Sequence, residues 1–150
     1  VERKIGIELT PFEKARDEIL LVCLGNDPEK NEKIIRRSAR TAERNDSKWY
    51  TLYVDTAQNS FENIDLRLQR FLINNFKMAT ELGAMSEKIS ANDIVEGIID
   101  FANEKNITKI ILGKPAKKSY IKKLTSENIL ERLLDSIESG EKNFDLEIIA

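Results

Sequence analysis

The chain predicts a doubly wound α/β domain, a five-stranded parallel sheet between two layers of helices. Three observations carry this reading. Two short apolar runs, ILLVCLG at 19–25 and IILG at 110–113, are continuous enough to be interior parallel strands covered on both faces. Between the strand-like runs lie segments whose apolar residues recur at helical spacing. Strands and helices alternate throughout, with connections long enough for right-handed crossovers. At 150 residues, 41% hydrophobic and 33% charged, the chain has the size and composition of one domain with its own core.

Residues 1–17, VERKIGIELTPFEKARD, lack steady periodicity and contain Pro11, so they read as a lead-in or linker to a domain over 18–150. Glu18–Gly25 reads as a central first strand. The turn Gly25-Asn26-Asp27-Pro28 follows, with Asp27 an N-cap and Pro28 at the first helical position. The helix runs to about Arg44, burying Ile34, Ile35, Ser38, Ala39 and Ala42. Its arginines, Arg36, Arg37, Arg40 and Arg44, face outward as a solvated stripe. Lys48–Asp55, rich in aromatic and β-branched residues, reads as the second strand.

Asn63–Leu82 predicts a helix with Ile64, Leu68, Phe71, Leu72, Ala79 and Leu82 inward, ended by Gly83. Ala84–Ile89 alternates and reads as an edge strand. Ser90-Ala91-Asn92-Asp93 supplies an N-cap for a helix burying Ile94, Val95, Ile98, Phe101 and Ala102. Ile107–Gly113 reads as the fourth strand. Thr125 or Ser126 caps a last helix with the stripe Ile129, Leu130, Leu133, Leu134 and Ile137, and Phe144–Ile149 is the fifth strand.

Composition narrows the chemistry. With no histidine, the chain lacks the commonest general base and metal ligand, and any Ser-His-Asp or Cys-His arrangement. The acids are scattered along helix faces, which points to no metal site and no enzyme. The loop after the first strand, GNDPEKN, matches neither familiar glycine-rich phosphate cradle. A net charge of −2 argues against nucleic acid as a partner. The single cysteine, Cys23, lies in an apolar run and reads as a buried core residue. No apolar run approaches the roughly 20 residues that span a bilayer. A start at Val1 rather than Met is the expectation for a piece of a longer protein.

Binding remains the reading. Strand order reverses between the first and fourth strands in such folds, leaving a crevice at their carboxyl ends. Gly25, Asn26 and Asp27 would border it on one side. Gly113, Lys114, Lys117, Lys118 and the helix start near Ser126 would border it on the other, in a lysine-rich stretch suited to an anion. Trp49, Tyr50 and Tyr53 offer aromatic surface one strand away, although sheet packing is their ordinary role. Asp55, at the end of the second strand, could contact a ribose or form a turn.

The ordered runs ILLVCLG, NEKIIRRSARTAERNDSKWYTLYVDT, NITKIILGKP and ENILERLLDSI resemble the universal-stress-protein-like domain of KdpD-type osmosensitive potassium sensor histidine kinases. The likeness covers about residues 18–150. It implies the universal stress protein (adenine nucleotide alpha hydrolase-like) fold. It also implies a cytosolic regulatory domain without catalysis of its own, whose partners are the other domains of a membrane-held sensor kinase. ATP-binding universal stress proteins carry an Asp at the end of the first strand and a Gly-x2-Gly-x9-Gly-Ser/Thr segment after the fourth. Here Gly25 stands in the first place, while Gly113, Ala116 and Ser126-Glu127 stand in the second. Cyclic di-AMP-binding sensors of the family use serines on the first loop and a Phe-Thr-Ala-x-Tyr stretch. Trp49-Tyr50-Thr51-Leu52-Tyr53 keeps its aromatic ends, and GNDP has no serine. The resemblance thus implies cyclic di-AMP or an adenine nucleotide as ligand. A free-standing, dimeric universal stress protein that binds ATP or AMP is the alternative.

Overall fold

The computed structural model describes residues 18–57, 60–114, 120–140 and 144–150, with the backbone alone for 120–128. The lead-in at 1–17 and the loop residues Lys117 and Lys118 lie outside the described residues. Five strands, β1 (Ile19–Cys23), β2 (Lys48–Asp55), β3 (Met85–Ser90), β4 (Lys109–Gly113) and β5 (Asp145–Ile149), form one parallel sheet in the order β3-β2-β1-β4-β5. The helices are α1 (Pro28–Asn45), α2 (Leu66–Glu81), α3 (Ile94–Glu104) and α4 (Tyr120–Ser139).

Successive side chains of a strand point to opposite faces, and the apolar runs divide accordingly. Leu20, Val22, Trp49, Tyr53 and Ile111 pack with Ile34 and Ile35 of α1 and Leu72 and Ala79 of α2. Leu21, Tyr50, Leu52, Val54 and Ile110 pack with Val95, Ile98 and Phe101 of α3 and Leu133 of α4. β1 pairs with β2 on one side and β4 on the other, so its continuous apolar sequence matches a strand enclosed in every direction. β3 lies at an edge, in agreement with its alternation.

Aspartates start three of the helices. Asp27 accepts from the Lys30 N–H at 3.2 Å, Asp65 from Arg67 N–H at 3.0 Å and Asp93 from Glu96 N–H at 3.1 Å. Gly83 follows α2 at φ 106°, a conformation that favours glycine.

Four details differ from the sequence reading. The segment predicted as a helix from Asn63 opens with a single 3-10 turn at Phe61–Asn63. Ile64 is extended, and α2 begins only after Asp65 caps it. Phe71 and Leu82 are 45% and 43% exposed, because the buried line of α2 runs through Leu72, Asn75 and Ala79. α4 begins at Tyr120, since nothing between Tyr120 and Ser126 breaks a helix. Ser126 is therefore in its interior, where main-chain N–H groups bond back into the helix and none is left free. Leu134 is 42% exposed beside the fully buried Leu133, about a hundred degrees round the helix.

Two close contacts fix the α3 side. A Cβ at Gly97 would lie 2.9 Å from Val54 Cγ1 and 3.0 Å from Ala91 Cβ. Gly97→Ala should lower the urea midpoint without changing its slope. A net loss of about 1–2 kcal/mol is expected, overpacking outweighing the gain in helix propensity. Arg132 of α4 grips Asp93 with two bonds, at 2.9 and 2.6 Å, and this holds the Asp93 carboxyl below the usual carboxylate range. A depressed carboxyl stabilises the fold at neutral pH, and that contribution is lost as pH falls through its folded pKa. Asp93→Asn should therefore be less stable than the parent at neutral pH, with the gap closing in acid. Denaturation midpoints across that range check it.

Candidate ligand-binding mouth

Because β2 and β3 lie on one side of β1 and β4 and β5 on the other, the loops after β1 and β4 leave the sheet in opposite directions. The opening between them is built from Leu24 to Asn31 and from Gly113 to Lys114. On the first side the backbone is held from below. The Gly25 N–H donates to Asn31 Oδ1 at 3.0 Å, and Asn31 Nδ2 donates back to the Gly25 carbonyl at 2.8 Å. The same Nδ2 donates to Asn75 Oδ1 at 3.1 Å, linking α1 to α2 through two buried amides. The Tyr53 hydroxyl donates to Asn26 Oδ1 at 2.9 Å and ties the loop to the end of β2. Burial and the nearby Asp55 charge push the Tyr53 phenol upward, so it remains a donor at neutral pH.

On the second side, Gly113 leaves room for the side chain that crosses it. A Cβ at Gly113 would sit 2.9 Å from Lys30 Cδ and 3.0 Å from its Cγ. The Lys30 stem lies across the end of β4, and its Nζ donates to the Lys114 carbonyl oxygen. The Lys114 N–H donates to Ile149 at 2.8 Å, leaving the Lys114 side chain exposed at the rim. Two ammonium groups thus border the mouth, from α1 and from β4. Asp27 faces the α1 N-terminus as its cap, so the first loop presents carbonyls, Asn26 and a carboxylate as well as cations.

The sequence-predicted residues divide. Gly25, Asn26, Asp27, Tyr53, Gly113 and Lys114 come together here. Trp49 does not: it is 3% exposed at the other end of β2, within the core that α1 and α2 cover. Asp55 is committed to the turn after β2, its Oδ1 accepting from the Phe61 N–H at 2.7 Å. Ser126 belongs to the body of α4. The reading of the sequence misses Lys30, Asn31, Asn75 and Phe61. Asn31 and Asn75 carry a signal, since both fall on the buried period of their helices, where a polar residue must have a partner. Phe61 packs edge-on to Tyr53 at 6.2 Å and lies under the Lys88 ammonium at 4.3 Å, forming an aromatic shelf beside the loop.

This arrangement can hold an anionic group. Asp27 is engaged as the cap of α1 and Asp55 in the turn after β2. Cys23 packs against the α3–α4 core, and desolvation pushes its thiol up to about 12, so it stays protonated and unreactive. Among the described residues no group of three or more His, Cys, Asp or Glu side chains could hold a metal ion. No helix among them is long and apolar enough to cross a membrane.

No family model matches the chain. It is 32% identical over 123 residues to the sensor protein KdpD of Escherichia coli (strain K12), covering 82% of this chain and 13% of that one. KdpD of Clostridium acetobutylicum is likewise 32% identical over 123 residues, covering 81% and 13%. The chain therefore spans about 13% of the length of these curated relatives. Among solved structures, the universal stress protein from Archaeoglobus fulgidus in complex with dAMP superposes with a TM-score of 0.61 at 14% identity, covering 89% of this chain and 98% of that one. A universal stress protein in complex with cAMP gives 0.56 at 14% identity, covering 88% and 95%.

The buried amides predict a measurable cost. Asn31→Ala removes the partner of both Gly25 groups and of Asn75, and should destabilise the chain by about 2–3 kcal/mol in chemical denaturation. Hydrogen exchange at Gly25 should accelerate more than at β1.

Proposed function

The chain is a universal-stress-protein-like domain of the KdpD type, and on that premise we propose that it is a non-catalytic regulatory module of a sensor histidine kinase controlling potassium uptake. Its ligand is an adenine nucleotide second messenger, cyclic di-AMP, received at the mouth between β1 and β4. The domain works in the cytosol, its partners are the other domains of the parent protein, and the membrane is met only through that parent.

One observation carries the ligand reading: Lys30 is laid over Gly113 with its ammonium at the point where strand order reverses. A phosphodiester oxygen is a better partner for that ammonium than the Lys114 carbonyl it now meets, because the bond would be charge-assisted at both ends. Lys114 adds charge on the same side, and the sequence continues with Lys117 and Lys118. Phe61, partly exposed and backed by the buried Tyr53 ring, supplies an aromatic edge against which a purine can pack. The likeness in fold to universal stress proteins solved with dAMP and cAMP supports an adenine-bearing ligand. A second reading, a free-standing universal stress protein that binds ATP or AMP, draws on the near-complete coverage of such chains.

Calorimetric titration with cyclic di-AMP, ATP and AMP tests both. The proposal expects saturable binding of cyclic di-AMP. Lys30→Glu should weaken it about tenfold or more, an effect that shrinks at high salt. Lys117→Glu with Lys118→Glu should act in the same direction. Binding of ATP or AMP alone would transfer the case to the second reading. Cyclic di-AMP affinity unmoved by Lys30→Glu would remove the mouth from the site.

A further inference from the structure

Two turns beyond Lys30, α1 passes the β4–β5 edge and leaves a groove of about 210 Å3 beside it. Arg37, Arg40 and Arg44 line one wall, with Ile111, Glu147 and Ile149 on the other. The arginines stand at i, i+3 and i+7, so their guanidinium groups share one stripe of the helix. We propose that this groove is a second binding site, for the phosphoryl group of a small phosphomonoester, separate from the nucleotide mouth.

Three features argue for it. The first is unused charge: among the described residues Arg37, Arg40 and Arg44 form no ion pair, whereas Arg36, one turn before Arg40 on the same exposed face, pairs with Glu32 at 3.2 Å. The second is Ser38, which also lines the groove. It is 1% exposed, and its hydroxyl has no hydrogen-bond partner. A helical hydroxyl ordinarily bonds back to the carbonyl four residues earlier. Thr41, three residues on, does this with the Arg37 carbonyl at 3.2 Å, while Ser38 does not. A buried donor left unpaired is costly and calls for a partner.

The third feature is the opposite wall. Ile111 and Ile149 are buried and apolar, which keeps the dielectric low around a bound anion. The Glu147 carboxylate is the sole acid among the lining residues and is engaged by Lys109 at 3.6 Å. The volume equals the share of about seven waters, room for a phosphoryl group and a few carbons. A tetrahedral dianion has oxygens enough for two guanidinium forks and the Ser38 hydroxyl together, whereas a carboxylate is filled by one fork.

The test is an NMR titration of the 150-residue chain with inorganic phosphate, glycerol 3-phosphate and acetate. Saturable amide shifts over 37–44 and at Ile149 are expected with the first two and not with acetate. Ser38→Ala should raise the thermal midpoint of the free chain, by removing an unpaired buried hydroxyl, and yet weaken phosphate about tenfold. Arg40→Gln should weaken binding without that gain. Lys30→Glu, which alters the mouth, should leave these shifts in place, so the two sites stand or fall separately. Shifts that rise linearly without saturating, equal affinity in Ser38→Ala, or a lowered midpoint in that variant would each overturn the proposal.

Discussion

β1 is enclosed on four sides, and the rest of the architecture answers to that. A strand reading ILLVC can expose neither face, and its main chain can leave neither edge unpaired. Parallel partners on both edges require helical crossovers, and here they place β2 and β3 to one side and β4 and β5 to the other. The opening between the first and fourth loops is the geometric remainder of that solution. Its position is therefore dictated by hydrophobic burial, while its chemistry is free to be set by whichever residues the loops carry.

Those residues replace a glycine-rich cradle with side-chain scaffolding. In the familiar phosphate loops, glycines let the backbone wrap the anion closely. Here the loop after β1 is shaped by Asn31, which satisfies both polar groups of Gly25 and leans on Asn75. A loop held by buried amides is stiff, and it offers fewer free N–H groups to a ligand. Positive charge must then come from side chains, and Lys30 reaches the rim by a stem laid over Gly113, where a larger residue would push it aside. Backbone recognition and side-chain recognition are alternatives here, and on the proposed reading this chain uses the second.

The architecture was legible because burial leaves a periodic trace. Continuous apolar runs marked β1 and β4, alternation marked the edge strand, and Asp27 and Gly83 marked helix ends. Legibility failed where neighbours in sequence differ only by rotation, as with Phe71 beside Leu72 and Leu134 beside Leu133. It failed at α4 because Thr125 and Ser126 look like a cap, yet nothing before them interrupts a helix. At the mouth, a lysine in the first turn of a helix looks like any solvated charge. Only the approach of β4, 84 residues on, makes Lys30 part of a site. Trp49 erred in the opposite sense, since an aromatic on a strand reads alike at either end of it.

The packing also limits how a bound ligand could be reported. Ile34 and Ile35 seat α1 on the sheet with almost no exposure, and interiors of this kind resist sliding because every displacement opens a void elsewhere. Asn31 adds a polar pin between α1, the first loop and α2. Rigid-body motion of α1 is thus a costly response to the exchange of one hydrogen bond at Lys30. Transferring its ammonium from the Lys114 carbonyl to a ligand oxygen frees a carbonyl at the exit of β4, where the chain leaves the sheet. On the proposed reading, the message begins as a change in main-chain partners at that exit. The sheet and its covering helices stay fixed in that step.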